Sequence, residues 1–280
     1  MAAITDLDSY VEKLTGGDSG VPDVMFVRKY ANVGGSQVVW VSGGRFSTWL
    51  WDGIPGGAVT PTTVAAPTKS TQGAIPFTNP SGGRAKWLAN FSYVPNAGGH
   101  DIVMLYDRLL HIGGLDGTVT SAQTVGGTLT RNTGGVGNLI FAEIYTSVGT
   151  SAQEITASYT NQAGTSGRTT TSAVIGGSTS GFNNSPGVFI TLPLQVGDTG
   201  VQSVQSVTLG ASTNTAGDFG ITVGRPLTFT VPGYAMPYQS DLIGVGGIPE
   251  ISADACLAMA VRVSTSTESA FTAMLSTLEA

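Results

Sequence analysis

Apolar residues at Leu7, Tyr10, Val11 and Leu14 fall at i, i+3, i+4 and i+7, which predicts a short N-terminal helix with one apolar stripe. Thr5 can cap it, Asp6 and Asp8 place negative charge in its first turn, and Gly16-Gly17 ends it. Such a stripe must be buried, either on the chain's own body or on a neighbouring subunit. After this helix the period changes to that of strands. Val24 to Tyr30, Gln37 to Ser42 and Arg45 to Asp52 read as short strands between Gly-rich turns. Residues 87–112 read as two more around Pro95 to Gly99. The second holds Met104, Leu105, Tyr106, Leu109 and Leu110, a grouping that a helical turn would also accommodate.

Residues 117–230 are rich in Thr, Val, Ile and Tyr, with turn signals roughly every 8–12 residues, the mark of a sandwich or barrel. From Leu139 to Tyr145 both alternating sets are mostly apolar, which predicts a central strand covered on both faces. Ala253 to Val263 is a last apolar element, and Ser269 to Leu278 fits a short helix or a strand. The expected fold class is all-β, a β-sandwich or jelly-roll-like body with long Gly/Pro-rich loops and a short N-terminal helix. The expected organisation is a helical arm over 1–17, a β-rich region over 18–116 and a sandwich body over 117–280, the last two either separate or continuous.

One stretch fits no regular element. Residues 53–86 carry Pro55, Pro61, Pro67, Pro76 and Pro80 among glycines and threonines. An ordered loop this long normally has a task. Ile75, Phe77 and Trp87 at its far end indicate that it packs on something. Together with the helix, it supplies the candidate assembly contacts: Leu7, Tyr10, Val11, Leu14, Ile75 and Phe77.

Composition narrows the function. Charged residues make up 11% of the 280, against about 25% in an average soluble domain. A surface this poor in charge fits either a chain covered by neighbours or a secreted protein with a neutral polar skin. With 12 Lys and Arg, a net charge of −6 and no basic run, the footprint of a nucleic-acid binder is missing. The opening residues lack the basic-then-apolar pattern of an export signal, and no run of 18 apolar residues occurs. The chain is therefore expected to be made in the cytoplasm, not exported by the usual route, and free of membranes. Cys256, the single cysteine, lies in an apolar run and reads as a buried, inert thiol.

A search for catalytic signatures yields little. His100 and His111 have no cysteine at metal-ligand spacing. Gly164-Thr165-Ser166-Gly167 has the residue types of a nucleophile elbow but sits in a hairpin turn, and the glycine runs at 134–137 and 244–247 lack the lysine and helix of a phosphate loop. Asp107, Asp116, Glu143 and Glu154 are the default carboxylates. Glu143 stands out because it interrupts an apolar strand, so it must be paired or neutral, with Arg108, Arg131 or Arg168 as partners. Trp40, Trp49, Trp51 and Trp87 could form a sugar-stacking platform, with Trp49 and Trp51 on one face of a strand, or could pack in a core. The expectation is no enzyme, no cofactor and no metal.

Several stretches carry a resemblance. They are Asp6-Leu7-Asp8 with Leu14-Thr15-Gly16-Gly17; Tyr106-Asp107-Arg108-Leu109-Leu110-His111 with Gly113-Gly114-Leu115; Ala122-Gln123-Thr124-Val125; Ser158-Tyr159-Thr160-Asn161 with Gly164 to Arg168; and Asp254-Ala255-Cys256-Leu257. Over most of its length the chain resembles structural proteins of tailed bacteriophages. The resemblance implies a virion component and brings no catalytic residues. Without the long spine helix of the usual capsid lattice protein, it points to a decoration or cement protein on the capsid surface. Its expected partners are the major capsid protein and copies of itself, with a trimer as the expected closed symmetry. A tail tube or baseplate subunit is the alternative, and a carbohydrate- or receptor-binding protein is the alternative of another class.

Overall fold

A computed structural model describes residues 7–14, 23–34, 36–38, 41–96, 102–178, 183–230, 238–241, 248–264 and 270–279. The chain begins with α1 (Leu7–Leu14), β1 (Val24–Tyr30), β2 (Asn32–Val33), β3 (Ser36–Gln37), β4 (Arg45–Ser47) and β5 (Gly53–Ile54). After a long loop come β6 (Lys86–Pro95), β7 (Ile102–Leu115), β8 (Gln123–Thr124), β9 (Leu139–Thr146) and β10 (Gln153–Asn161). Then follow β11 (Arg168–Thr169), β12 (Ala173–Ile175), β13 (Phe189–Leu192), β14 (Val201–Leu209) and β15 (Asp218–Thr230). The last strands are β16 (Tyr238–Asp241), β17 (Glu250–Ile251), β18 (Leu257–Arg262) and β19 (Ala270–Glu279).

The fold is all-β. Besides the small β2–β3 pair, three antiparallel sheets form the body. The central one has the order β13-β9-β15-β7-β18-β4. A second runs β16-β6-β19-β1-β5, with β17 also on β6; a third runs β11-β10-β14-β8, with β12 also on β10. One face of the central sheet, through Val103, Leu105, Ile140, Ile144, Ile221 and Met259, joins the inward residues of both other sheets in one continuous core. Trp51 links the layers, its ring lying 6.4 Å from Phe46 on the central sheet and 6.3 Å from Phe271 on the second.

Pairings cross the expected divide at residue 116. β7 pairs with β15 and β18, and β19 pairs with both β1 and β6. The 18–116 and 117–280 regions thus share sheets and a core. The segments left open between helix and strand, 102–112 and 269–278, are both strands. β9 is flanked by β13 and β15 and buried on both faces, as its two apolar sets require.

The 53–86 segment is an ordered strap that lies over the other face of the central sheet near Gly113 and pairs with open backbone positions of β7 and β18 at Ala65 and Ile75. Ala65 exchanges two 2.9 Å backbone hydrogen bonds with His111, and Ile75 N–H donates to Leu257. Arg131 Nη2 holds the Pro67 carbonyl at 2.8 Å, and Gln72 Nε2 ties the strap to itself at Gly57. Where it crosses β7 the contact is so close that a Cβ added to Gly113 would lie 2.1 Å from the Pro61 carbonyl oxygen. Gly113→Ala is expected to lift the strap and cost ~1–3 kcal/mol in urea unfolding, the usual cost of overpacking. Gly56→Ala, whose added Cβ meets nothing within 4 Å, should stay within ~0.5 kcal/mol.

Candidate functional site

The polar groups that sequence reasoning singled out converge beneath the strap. Glu143 on β9 is fully buried. Its Oε2 lies 2.6 Å from Arg108 Nη2 on β7 and accepts hydrogen bonds from Tyr145 Oη at 3.1 Å and Thr222 Oγ1 at 3.0 Å. Of the three arginines considered as partners, Arg108 is the one used. Its guanidinium also donates from Nε to His111 Nδ1 at 3.0 Å, and it stacks 4.4 Å from the Trp49 ring centroid. Glu143 Oε1 is buried without a hydrogen-bond partner among the described residues.

Local backbone geometry explains why Arg108 and His111 can meet. Residues three apart on a regular strand point to opposite faces. Here Gly224 pairs with Arg108 while Val223 pairs with Leu110, so Leu109 is an extra residue, a β-bulge. The bulge sends Leu109 and Leu110 both into the core and brings Arg108 and His111 to the same side. It also accounts for the run of consecutive apolar residues that resembled a helical turn.

The facing strand makes room for the large rings. Gly220, Thr222 and Gly224 alternate on β15. A Cβ at Gly220 would meet Tyr145 Cε2 at 2.8 Å, and one at Gly224 would meet Tyr106 Cδ2 at 2.7 Å. The small residues leave space for the rings whose hydroxyls reach Arg108. This pattern was visible as Gly-x-Thr-x-Gly, but its meaning depends on which strand lies next to it.

Electrostatics follow from the burial. Desolvation pushes the Tyr106 hydroxyl up to about 12 and Tyr145 well above its ordinary range. Burial opposes the charge on Arg108, but Glu143 and the two tyrosines override it and hold the guanidinium firmly protonated. His111 is driven down to about 3, first by burial and then by the adjacent Arg108. It is therefore a neutral acceptor. Burial pushes the Cys256 thiol up to about 12, so thiolate chemistry is suppressed there.

The remaining candidate carboxylates do not join this cluster. Asp107 points to the opposite face from its neighbour Arg108 and is gripped by Arg131 through two bonds, at 3.0 and 2.9 Å. Asp116 closes a tight turn on Thr118, whose hydrogen bonds lower its pKa, and Glu154 is exposed on β10. Arg168 pairs with Asp198 instead. Among the described residues no group of His, Cys, Asp and Glu could hold a metal ion. His100 lies outside the described residues.

The sugar platform is not formed as expected. Residues 48–52 are a turn and not a strand, so Trp49 and Trp51 go to different sides. Trp49 packs under the strap with Tyr106 and Phe141, and Trp51 packs in the main core. Both are almost completely buried. Trp40 lies outside the described residues.

The candidate assembly contacts divide in two. Ile75 and Phe77 are a correction: both are buried in the chain's own core, because the strap turns inward at its far end, and neither presents a side chain to a second molecule. Val11 on α1 is 48% exposed. The side chains of Leu7, Tyr10 and Leu14 lie outside the described residues, although the helix that carries them runs beside β19.

No family model matches the chain, and no curated protein does. Among solved structures it is similar to the VP2 subviral particle of infectious bursal disease virus, at 11% identity and a TM-score of 0.19, over 97% of this chain and 86% of that one. It is also similar to the Gt strain of that virus, at 9% identity and a TM-score of 0.20, over 93% and 81% of the two chains. Likenesses this slight carry nothing over to this chain.

The cluster is a sealed ion pair, and two outcomes follow. Glu143→Gln, which strands the Arg108 charge, is expected to lower unfolding free energy by ~3–5 kcal/mol, whereas Arg108→Met with Glu143→Leu should lose less than either single change. Stability within ~0.5 kcal/mol of wild type for Glu143→Gln would show that the pair contributes nothing. The second outcome concerns acid. Because the folded pKa of His111 lies below its ordinary 6.5, the unfolded chain takes up a proton between pH 6.5 and 3 that the folded chain refuses. Wild type should therefore lose stability relative to His111→Gln by about 1.4 kcal/mol per pH unit as pH falls through that window, with no divergence above it. Urea midpoints from pH 7.5 to 4 measure this.

Proposed function

We propose that the chain is a non-enzymatic structural protein of a virus particle, serving as a head decoration or cement protein that binds between major capsid subunits and associates with copies of itself. The observation that carries this reading is a set of exposed apolar side chains on the outer face of the second sheet. Val24 and Phe26 alternate outward on β1 and are 54% and 68% exposed. One step along, Arg28 pairs with Ile54 on β5 and with Thr272 on β19, which in turn pairs with Val94 on β6. Ile54 and Val94 are also exposed. Exposed apolar side chains on three strands, interleaved with Arg28 and Thr272 in a chain with so little charge, fit a surface that partners cover.

The polar groups support the same reading from the other side. The carboxylate and imidazole that an enzyme would turn toward substrate are spent on holding the strap and the central sheet together. The resemblance to tailed-phage structural proteins supplies the particle. A closed trimer is the expected symmetry, with many modest contacts repeated around it.

Imaging of purified virions tests the assignment. The chain is expected on the outer surface of the head; stacked rings along the tail would assign it to the tube, and absence from the particle would overturn the reading. Deleting residues 1–17 should leave the urea midpoint of the β body unchanged and weaken particle binding by at least about tenfold, or ~1.4 kcal/mol. Unaltered decoration by the truncated chain would show that α1 serves its own domain alone.

A further inference from the structure

The central sheet curls until its two outermost strands, β13 and β4, touch. Phe46 and Val188 form a single bridge there, and Ser47 N–H donates to the Gly187 carbonyl at 2.8 Å. Beyond the bridge the two strands part around a cleft of about 560 Å³. Gly44 and Arg45 line one side of it, Phe189, Ile190 and Thr191 line the other, and Val174 of β12 adds a third wall. Along Phe189–Leu192, β13 is paired with β9. A strand paired on one side turns alternate N–H and C=O groups to the other. Past the bridge, β13 therefore borders the cleft with a backbone edge that can accept another strand.

Charge at the cleft is one-sided. Arg45 on β4 and Arg262 on β18 are direct cross-strand partners, both exposed, and both line it. They also line an adjoining shallow groove of about 200 Å³, shared with Met104, Phe141 and Phe189. Neither arginine has an ion-pair partner among the described residues, and neither lining contains an acid. Like charges placed directly opposite each other on a sheet are unfavourable, and a carboxylate brought beside them offsets that repulsion.

A strand laid along β13 has its chemistry set by the two faces it would meet. Its side chains alternate between them with period two. On the outer face they would lie beside Phe189, Arg45 and Arg262. On the inner face they would lie beside Val188 and Ile190, both members of the buried core. The matching segment alternates acidic and apolar residues.

We propose, resting on the assembly reading above, that this cleft takes an extended, alternating acidic–apolar segment of a capsid subunit. The segment adds to β13 as a further strand and sets its carboxylates on Arg45 and Arg262.

Fluorescence anisotropy with the full chain at low salt tests this, using capped and labelled peptides as probes. Val-Glu-Val-Asp-Val is expected to bind saturably, at least about tenfold tighter than Val-Lys-Val-Lys-Val. The Arg45→Glu/Arg262→Glu chain should reverse that preference, which a misfolded chain cannot do. Glu-Asp-Val-Val-Val keeps the composition and charge but not the alternation, and should bind wild type at least about tenfold more weakly than the alternating peptide. Equal binding of the two acidic peptides would show charge attraction without strand addition and overturn the proposal. So would a lack of saturable binding, or a preference that the charge reversal leaves unchanged. None of these outcomes bears on whether the chain sits on the head, which the virion images decide separately.

Discussion

A guanidinium and a carboxylate 2.6 Å apart in the middle of a six-stranded sheet set conditions on everything around them. Neither charge tolerates the apolar face unless the other is held in place and water is kept out. The β-bulge at Leu109 aims Arg108 and supplies His111 as an acceptor for the guanidinium's remaining face. Gly220 and Gly224 thin the neighbouring strand so that tyrosine hydroxyls can complete the set. The strap then closes over the top, and the Arg108 guanidinium sits over the Trp49 ring. Each of these features would be a defect alone; together they make one polar island that fixes register across β9, β15 and β7.

The strap is tied to the opposite face as well. Asp107, one residue before Arg108, grips Arg131, and the same guanidinium reaches the Pro67 carbonyl on the strap and the Arg108 carbonyl on β7. Adjacent residues of one strand therefore anchor two ion pairs on two faces, and a proline-rich segment with almost no regular structure is held as firmly as a strand.

Much of this was legible in the sequence, and the rest was not for identifiable reasons. An acid inside an apolar run has to be paired or neutral, so an ion pair at Glu143 was one of two outcomes that the residue itself allows. The choice of Arg108 over Arg131 or Arg168 was not legible, because it depends on strand order. The proline-rich loop reads as ordered and packed, but nothing local says that it folds back on its own sheet, so Ile75 and Phe77 read as outward contacts from the sequence alone. Trp49 and Trp51 were placed on one face by assuming a strand through a segment that turns. The bulge hid itself by breaking the alternation that marks a strand. In each case the missing information is a neighbour far away in the chain.

That distance has a kinetic side. Asp23 N–H reaches Thr277 Oγ1 across 254 residues, and β19 lies between β1 and β6. The first long strand of the sequence thus has no completed sheet to join until the last has been made. Contacts of such separation are slow to form, because loop closure must precede any gain from them. The exposed Val24 and Phe26 of β1 spend that interval on an unfinished sheet, in a chain with few charges to keep it apart from its copies. Timing, as much as affinity, then governs whether copies meet as finished subunits or as half-built ones.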